Sequence, residues 1–492
     1  MRLISLNFCS AAICAVALVR SAVAAPATQS PSDPRIAQVE QGLLPAVVLA
    51  GTPARTRSLS AAMADMKIPG VSIAVIHGGH IAWAKGYGDV DKGGPPVSTD
   101  TLFQAGSISK SITAVAAMQL VEAGRLSPGR AVNDDLRSWK VPDNEFATRA
   151  KVTLRGLLSH TAGINVHGFP GYASSAPVPT LREILDGMPP ANTPSIRVVS
   201  VPGTKWSYSG GGYTIVQQLI EDVTHKPFPK WLGDHVLGPA GMTHSTFTQP
   251  LPTRDLAKAA MPHEADGTMV IGGPHIYPEM AAAGLWTTPS DLAQILVDIQ
   301  RALAGQEGGV LSPAMARLML EPVTPDYSMG FDLGGAPGAG YFAKGGDTEG
   351  FGATMVAYRS SGDGAAVMTN GAAGDSLADE VIRSIAATYG WPDFKPRQRT
   401  AIALNPASLA HYTGTYRYRR NDQFTVSARN EMLMIASPGG TPERLYPASE
   451  SEFFVISQDV SYVFDRSAKS ASTGHISSGE DRIDFRRIAT VR

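Results

Sequence analysis

The pattern of helix-like and strand-like segments changes at about residue 390, and this change limits the folds available to the chain. Before it, stretches with helical periodicity alternate with strand-like runs and with loops rich in Pro and Gly. After it, short strand-like runs separated by turn residues predominate. A mixture of helices and strands indicates an α+β domain, and several short strands indicate a small sandwich or barrel. We therefore expect two domains of different class, joined by a linker at residues 391–408.

The first domain is predicted to hold a sheet assembled from both of its ends. A hairpin is expected near the start, where two apolar runs flank His77-Gly78-Gly79. Apolar residues at helical spacing predict helices in the middle and at the end, and further strands close the domain. The predicted hairpin strands are 71–76 and 80–84, the later strands 354–358 and 365–368, and the helices 107–122, 213–223, 289–303 and 376–388.

The second domain, residues 409–492, is predicted to be all-β. Its strand-like runs are short, and turn residues separate them. Several short strands at this spacing are typical of a small sandwich or barrel. The predicted strands begin at Phe424, Met432, Glu452, Ser461 and Arg482.

The N-terminus has the pattern of a secretory signal peptide. A charged start precedes a short apolar run, and small residues, Ala22 and Ala24, stand before the expected cleavage site. The run is shorter than the ~20 residues that a spanning helix needs. We expect residues 1–24 to be removed and the mature protein, residues 25–492, to be periplasmic or secreted. Cleavage would also remove Cys9 and Cys14, so no disulfide or thiolate site is expected.

The balance of charge excludes some partners. The chain has 42 Lys and Arg against 43 Asp and Glu, for a formal net charge of −1. Such a chain has no basic excess for binding nucleic acid. No other apolar run is long enough to span a membrane. There is no His-Glu-x-x-His pattern, so zinc chemistry is not indicated.

Ser107 and Lys110 form the first candidate for catalysis. They are three residues apart at the start of a predicted helix, and this spacing places both side chains on one face. A serine hydroxyl needs a base to become a good nucleophile, and a lysine in a dry pocket loses its proton readily enough to be that base. Lys110 is the only lysine of the chain with a serine three residues before it. The alternative is an ordinary helix start followed by a surface lysine.

Two later segments could join this pair. Tyr208 precedes a run of glycines, and a phenol near a lysine can pass protons. Lys344, Gly345 and Gly346 offer a cation and a backbone that a substrate can approach closely, so a substrate carboxylate could dock at Lys344. Taken alone, each segment is equally compatible with a turn.

One further serine motif is a decoy. Gly374-Asp-Ser-Leu377 matches the signature of another class of lipases, but it precedes a helix late in the domain and no Asp-x-x-His follows it. A motif needs its structural context. Asp375 or Ser376 is better interpreted as the N-cap of that helix.

The order Ser-x-x-Lys, Tyr, Lys-Gly-Gly resembles the serine β-lactamase and penicillin-recognising hydrolase superfamily. The chain looks most like the branch of class C β-lactamases, D-aminopeptidases, DD-carboxypeptidases and family VIII esterases. The resemblance covers roughly residues 60–390, and the tail looks like the lipocalin-like barrel found on many such hydrolases. Further matching segments are 68–74, 101–107, 157–163, 237–242 and 283–292.

The resemblance implies the fold and the chemistry of the site. The fold would be a β-lactamase/transpeptidase-like antiparallel sheet flanked by helices. Ser107 would form an acyl-enzyme, with Lys110 and Tyr208 sharing the proton transfers, and the backbone N–H groups of Ser107 and Asp347 would hold the oxyanion. No metal or organic cofactor is implied. The same resemblance suggests that His160 is structural and not the general base.

The chain departs from the family at Gly210. The family pattern is Tyr-x-Asn, whose Asn helps to hold the acylamide of the substrate, and here it is Tyr208-Ser-Gly210. This departure puts lactam recognition in doubt more than acylation. Restoring Asn at position 210 is therefore expected to improve lactam hydrolysis, if the cleft otherwise matches the family.

Three functions remain open from the sequence. The first is an exported serine hydrolase of small esters, peptides or amides, of the esterase or D-amino-acid/DD-peptidase type. The second is a class C-like β-lactamase. The third is a non-catalytic, penicillin-binding-like protein. In each the partner is a small-molecule ester, peptide or β-lactam-like compound, and the oligomeric state is open.

Overall fold

The computed structural model describes residues 33–336, 339–418, 422–465, 472–478 and 481–489. The predicted leader, residues 1–24 with Cys9 and Cys14, lies outside these residues. The described chain forms an α+β domain followed by a closed antiparallel barrel, which confirms the predicted fold class. Across the described segments, no helix has the length and apolar character needed to cross a membrane.

In the part of the chain that the structure describes, ten strands lie in the first domain or at its junction with the barrel. They are β1 (Val47–Leu49), β2 (Gly70–His77), β3 (His80–Gly88), β4 (Phe103–Gln104), β5 (Trp286–Thr287), β6 (Asp332–Gly334), β7 (Tyr341–Thr348), β8 (Phe351–Tyr358), β9 (Gly364–Thr369) and β10 (Arg397–Arg399).

The helices of the first domain flank its sheet and fill its middle. The α-helices are α1 (Pro34–Gln41), α2 (Leu59–Asp65), α3 (Ile108–Glu122), α4 (Val132–Asp135), α5 (Leu154–Leu158), α6 (Leu181–Asp186), α7 (Gly210–Thr224), α8 (Phe228–Leu232), α9 (Thr253–Leu256), α10 (Met280–Ala283), α11 (Pro289–Leu303), α12 (Pro313–Met319) and α13 (Gly374–Tyr389). A π-helix, Gly233–Leu237, directly follows α8.

The main sheet has six antiparallel strands in the order β3-β2-β9-β8-β7-β6. Strands from the two ends of the domain meet where β2 pairs with β9, from Val71↔Thr369 to Ile76↔Gly364. The predicted assembly of the sheet is therefore confirmed. This arrangement lets β7, which carries Lys344, lie in the same sheet as the N-terminal hairpin.

The N-terminal hairpin turns at Gly78-Gly79. Both residues have positive φ, 62° and 76°, the combination that a two-residue turn of type I′ requires. Only glycine adopts this conformation without strain, which explains why the chain reverses here.

The two faces of the sheet bury different helices, because side chains alternate along β2. Val71, Ile73 and Val75 pack with α1, α2 and α13. Ala74 and Ile76 face the larger core that contains α3, α7 and α11. Helix α3 is enclosed by β7, α7, α10 and α12, and its residues from Ile108 to Met118 are all buried.

The second domain is a barrel in which each strand pairs with the next and the last pairs with the first. Its interior is filled by aromatic rings, including Tyr416, Phe424, Phe464 and Phe485. The strands are β11 (Gly414–Arg417), β12 (Gln423–Arg429), β13 (Met432–Ala436), β14 (Glu443–Pro447), β15 (Glu452–Phe454), β16 (Ser461–Phe464), β17 (Thr473–Ser478) and β18 (Asp481–Ala489).

The connection between the domains is partly ordered into a strand. Within the predicted linker, β10 pairs in parallel with β1, and residues Pro406–His411 form a 3-10 helix. The N–H of Val47 donates to the carbonyl of Ile456 at 3.0 Å, so the N-terminal segment also contacts the barrel. The barrel is thus docked against the first domain.

Three helix boundaries bear directly on the sequence interpretation. Helix α11 has the predicted bounds, and Thr288 caps it by accepting the N–H of Asp291 at 3.1 Å. Helix α7 begins at Gly210, three residues before the prediction. The predicted cap at Asp375 or Ser376 is wrong: α13 starts at Gly374, and Asp375 accepts the N–H of Ser376 within its first turn.

Candidate active site

Ser107 lies at the N-terminus of α3, where the chain makes a tight approach to β7. Gly106 just before it has a φ of +50°, and a Cβ there would stand 2.6 Å from the backbone nitrogen of Asp347. A Cβ on Gly346 would stand 2.9 Å from the backbone nitrogen of Ser107. Both positions require glycine, because any side chain would push the two segments apart.

This approach brings together the two backbone N–H groups expected to form the oxyanion hole. Ser107 lies on the helix start and Asp347 on β7, and the glycine contacts show that the segments touch. The N-terminal end of α3 adds the positive end of the helix dipole. Backbone N–H groups and a helix N-terminus at one place can stabilise the negative charge that develops on a substrate carbonyl oxygen.

Lys110 lies next to Ser107 and is buried. Its Nζ is 3.0 Å from the Oγ of Ser107 and 2.9 Å from the carbonyl oxygen of Ala282, and its side chain is 2% exposed. Burial, and then the positive charge of Lys344, lowers the pKa of Lys110 to about 7, against a weaker opposing effect of Asp347. At neutral pH much of Lys110 is therefore an unprotonated amine, ready to accept the proton of Ser107.

Tyr208 lies against both lysines. The Nζ of Lys110 is 4.9 Å from the centre of its ring, and the Nζ of Lys344 is 5.1 Å from it. Burial raises the pKa of Tyr208 well above its ordinary value, although a hydrogen bond with Ser107 acts in the opposite direction. Tyr208 is therefore protonated at neutral pH. It is suited to passing a proton on, while Lys110 is the better base.

His160 is a buried, neutral neighbour of Tyr208. Its ring centre is 4.2 Å from that of Tyr208, and its Nδ1 accepts the N–H of Ser209 at 3.1 Å. Burial, followed by the charges of Lys344 and Lys110, holds the pKa of His160 well below its ordinary value. These contacts agree with the structural role expected for His160.

Lys344 lines the cleft but is buried, which counts against the expectation that it docks a substrate carboxylate. Its side chain is 5% exposed, and its Nζ already pairs with the carboxylate of Asp332 at 3.2 Å. Burial lowers the pKa of Lys344, and the ion pair with Asp332 opposes that shift. The physical effect of Lys344 falls on its neighbour, Lys110, whose proton it makes easier to remove.

Gly210 is buried, and Phe169 covers it. A Cβ at position 210 would stand 2.9 Å from Cε2 of Phe169 and 3.2 Å from the carbonyl oxygen of His167. An Asn side chain at this position would have to displace the Phe169 ring, which counts against the expected gain in lactam hydrolysis. Both covering residues line the cleft.

The reactive residues open into a cleft of about 730 Å³, a size that accommodates a small organic substrate. Six of the residues predicted from the sequence line it, namely Ser107, Lys110, Tyr208, Lys344, Gly345 and Asp347. Gly210 and Gly346 do not line the cleft, since Phe169 covers the first and the backbone of Ser107 lies against the second. Residues not selected from the sequence also line it, namely His167, Gly168, Phe169, Trp206, Ser207, Ala282, Ala283, Asp332, Arg482 and Ile483.

Few features of the sequence could have predicted these additional lining residues. The one signal for Trp206 is its place two positions before Tyr208, and in the structure this large apolar residue is 45% exposed. Asp332 belongs to the site because it pairs with Lys344, and Phe169 because it covers Gly210. Neither contact could be predicted from the sequence. Arg482 and Ile483 belong to the other domain.

Ser376, the serine of the decoy motif, lies in a different groove from Ser107. The amide of Gln458 donates to its Oγ at 3.4 Å. No lysine or histidine is its hydrogen-bond partner in the part of the chain that the structure describes. Ser376 therefore lacks the base that Ser107 has.

Comparison with known proteins supports this reading of the fold. The chain is 28% identical over 370 residues to penicillin-binding protein 4 of Amycolatopsis lactamdurans, covering 71% of this chain and 93% of that protein. It is 27% identical over 297 residues to the putative penicillin-binding protein PbpX of Bacillus subtilis, covering 58% and 66%.

Solved structures agree at the level of the fold. The octameric penicillin-binding protein homologue from Pyrococcus abyssi matches with a TM-score of 0.57 at 22% identity, over 87% of this chain and 98% of that one. A D-amino acid amidase from Ochrobactrum anthropi, complexed with L-phenylalanine amide, matches with a TM-score of 0.52 at 21% identity, over 68% and 96%.

The Beta-lactamase family model matches residues 56–389. This range contains the whole main sheet, Ser107, Lys110, Tyr208 and Lys344, and it ends where the barrel's linker begins. The chain belongs to the Beta-lactamase family, within the superfamily of serine β-lactamases and penicillin-binding proteins.

Proposed function

We propose that this protein is a serine hydrolase that cleaves small esters, peptides or amides through an acyl-enzyme on Ser107. The observation that carries the proposal is the 3.0 Å contact between the Nζ of Lys110 and the Oγ of Ser107. A lysine whose pKa is lowered to about 7 is mostly neutral above that pH and can accept a hydroxyl proton.

In the acylation step, the proton of Ser107 passes to Lys110 as Oγ attacks the carbonyl carbon of the substrate. The carbonyl π electrons move to oxygen, and the N–H groups of Ser107 and Asp347 would stabilise that oxyanion. The tetrahedral intermediate then collapses. The leaving group takes a proton that originates on Lys110, with Tyr208 between them, and departs.

In the deacylation step, water attacks the acyl carbon and gives its proton to Lys110, which is again neutral. The bond from carbon to Oγ breaks, the proton returns to Oγ, and a carboxylic acid is released. The positive charge of Lys344 favours the neutral form of Lys110 at both steps, because it lowers the pKa of that amine.

The position of the Phe169 ring favours esters over β-lactams as substrates. The ring fills the space above Gly210, so no amide side chain from that position grips an acylamino group. Trp206 adds a second apolar wall to the cleft. Losing one hydrogen-bond donor to a substrate costs about 1–3 kcal/mol, roughly ten- to a hundred-fold in rate. Esters depend less on that donor. The relatives named penicillin-binding proteins and the amidase neighbour keep lactams and D-amino-acid amides as the alternatives to test.

We also propose that the protein works outside the cytoplasm. The support is the signal-peptide pattern of residues 1–24. Cell fractionation with an antibody to the barrel, and N-terminal sequencing of the exported chain, test this point separately from the chemistry.

Labelling with a fluorophosphonate probe tests the proposed function. Wild-type protein is expected to be labelled on Ser107, and Ser107→Ala to lose both the label and turnover. Ser376→Ala is the matched control, since it removes a serine that lies in another groove, and it is expected to behave as wild type.

A substrate panel then separates the alternatives. It contains p-nitrophenyl butyrate, D-amino-acid amides and nitrocefin. Faster turnover of the ester than of nitrocefin supports the proposal. A higher kcat/KM for nitrocefin would make the protein a β-lactamase, and no label together with no turnover would favour a non-catalytic binding protein.

A further inference from the structure

The barrel contributes two residues to the active-site cleft. Arg482 and Ile483, near the start of β18, line the same cleft as Ser107 and Lys110. The Beta-lactamase family match ends at residue 389, so these two residues belong to a part of the chain outside that match. The barrel is therefore a wall of the cleft as well as an appended domain.

Arg482 is the accessible cation of this wall. Its side chain is 61% exposed, and its Nε donates to the carboxylate of Asp484 at 3.0 Å. Among the described residues, Asp484 is the one hydrogen-bond partner of this side chain. A guanidinium has five N–H donors, so none of the four on its Nη atoms is bonded to a described residue. Asp484 is itself 76% exposed, and an exposed ion pair holds its partners weakly.

The other cations of the cleft are not available in this way. Lys110 is 2% exposed and contacts Ser107, while the side chain of Lys344 is 5% exposed and pairs with Asp332. An anionic group that enters the cleft therefore meets one exposed lysine or arginine among the described lining residues, and that residue is Arg482.

Charge recognition in this cleft must also be local. Asp332 and Asp347 line the cleft with Lys344 and Arg482, so when Lys110 is neutral the two negative charges balance the two positive ones. A balanced cleft does not attract anions as a whole. An anion is held only where a donor array matches its shape, and the planar guanidinium matches a carboxylate in a two-point contact.

We propose that Arg482 is a specificity residue that binds a free carboxylate of the substrate while Ser107 attacks its ester or amide carbonyl. The inference rests on the proposed hydrolase function and narrows its substrate class. The preferred substrates are small acyl compounds with a carboxylate in addition to the scissile bond, as in a short peptide. Ile483, beside Arg482, gives the same wall an apolar surface.

The test compares matched esters in Arg482→Ala, Arg482→Lys and a control, Arg486→Ala. Arg486 is on the same strand and lines the neighbouring groove of the barrel with Arg482, but it does not line the active-site cleft. One ester pair is mono-4-nitrophenyl glutarate and 4-nitrophenyl butyrate, with the carboxylate on the acyl side. The other is 4-acetoxybenzoate and its methyl ester, with the carboxylate on the leaving group.

The readout is the ratio of KM for the carboxylate ester to KM for its neutral partner. A charge-assisted contact at an exposed site predicts that Arg482→Ala raises this ratio about ten-fold in one of the pairs. Arg482→Lys should raise it less, because a lysine keeps the charge and loses the planar fork. Equal ratios in wild type and Arg482→Ala overturn the proposal, and so does an equal rise in Arg486→Ala, which would reflect net charge alone.

Binding without turnover keeps this test independent of the proposed function. Mono-4-nitrophenyl glutarate and 4-acetoxybenzoate are titrated by calorimetry into Ser107→Ala protein, with and without Arg482→Ala. About ten-fold weaker binding of either compound after loss of Arg482 supports the carboxylate site, even if wild-type protein hydrolyses nothing and the hydrolase proposal fails. Unchanged binding of both compounds, or no binding to Ser107→Ala protein, overturns the site, whether or not the wild type is a hydrolase.

Discussion

The ring of Phe169 lies over Gly210, with its Cε2 2.9 Å from the point at which a Cβ on residue 210 would stand. The carbonyl oxygen of His167 is 3.2 Å from the same point. Both covering residues line the active-site cleft. Any side chain at position 210 must therefore move a wall of the cleft, and the glycine and the phenylalanine act as one unit.

Gly210→Asn is expected to lower both Tm and ester kcat/KM, with no gain in nitrocefin hydrolysis. Overpacking of this kind typically costs 1–3 kcal/mol. Thermal unfolding and steady-state kinetics measure the two effects. Adding Phe169→Ala makes room for the Asn side chain. The decrease in Tm of the double variant should therefore be smaller than the sum of the decreases in the two single variants. Gly210→Asn protein that is as stable as wild type and gains nitrocefin turnover would contradict the packing account.

Lys110→Met is expected to remove turnover, by a factor on the order of 10²–10⁴ or more, and to change how stability depends on pH. The pKa of Lys110 is about 7 in the folded protein against 10.5 for an ordinary lysine. The unfolded chain therefore binds more protons between these values, and the wild type gains stability as pH rises through that window.

The methionine variant lacks this gain. The difference in Tm, variant minus wild type, should therefore be larger at about pH 7 than at about pH 10. Differential scanning calorimetry at the two pH values measures it, and Lys85→Met, which removes an exposed lysine, is the control. A difference that does not change with pH would show that Lys110 is protonated in the folded protein.

Lys344→Met is expected to move the acidic limb of the profile of kcat/KM against pH to higher pH. The active form needs neutral Lys110, so activity rises as pH passes the pKa of that amine, about 7. The charge of Lys344 lowers this pKa, and removing the charge raises it. Lys344→Arg keeps the charge and should leave the limb nearer to its wild-type position. A limb that stays in place in Lys344→Met would mean that Lys110 is not the titrating base.

Tyr208→Phe is expected to lower kcat by about 10²–10⁴, because it removes the hydroxyl between Lys110 and the leaving group. Since the pKa of Tyr208 is raised by burial, this loss should not diminish at high pH within the range where the protein is folded. Groups that act as a unit give non-additive losses. The Lys110→Met/Tyr208→Phe double variant should thus be little worse than the poorer single variant, and multiplication of the two losses would show that they act separately.

Local spacing made much of the fold and the core of the site predictable. The interval of three residues between Ser107 and Lys110 fixes their relation on any helix, and the Gly78-Gly79 turn fixes the hairpin. The burial of Lys110 also had a signal. Residues 108–118 are almost all apolar or small, and a helix that is apolar all round is a buried one.

The remaining features depend on packing between distant segments. Asp332 neutralises Lys344 only because β6 pairs with β7. Phe169 fills the space above Gly210 through a loop that carries no motif. Arg482 enters the cleft because a second domain docks there. None of these relations follows from residue spacing along the chain. The sequence therefore predicted a carboxylate contact at Lys344 and a gain from Asn at position 210, and the packing of both positions counts against these predictions.

The most direct measurement is the site of acylation during turnover. Wild-type protein is mixed with 4-nitrophenyl butyrate, quenched in acid within the first turnovers, digested, and mapped by mass spectrometry. We expect one peptide that carries the mass of a butyryl group on Ser107, which is absent in Ser107→Ala and forms much more slowly in Lys110→Met. A butyryl group on Ser376, Ser209 or another residue, or turnover that persists in Ser107→Ala, would contradict this expectation.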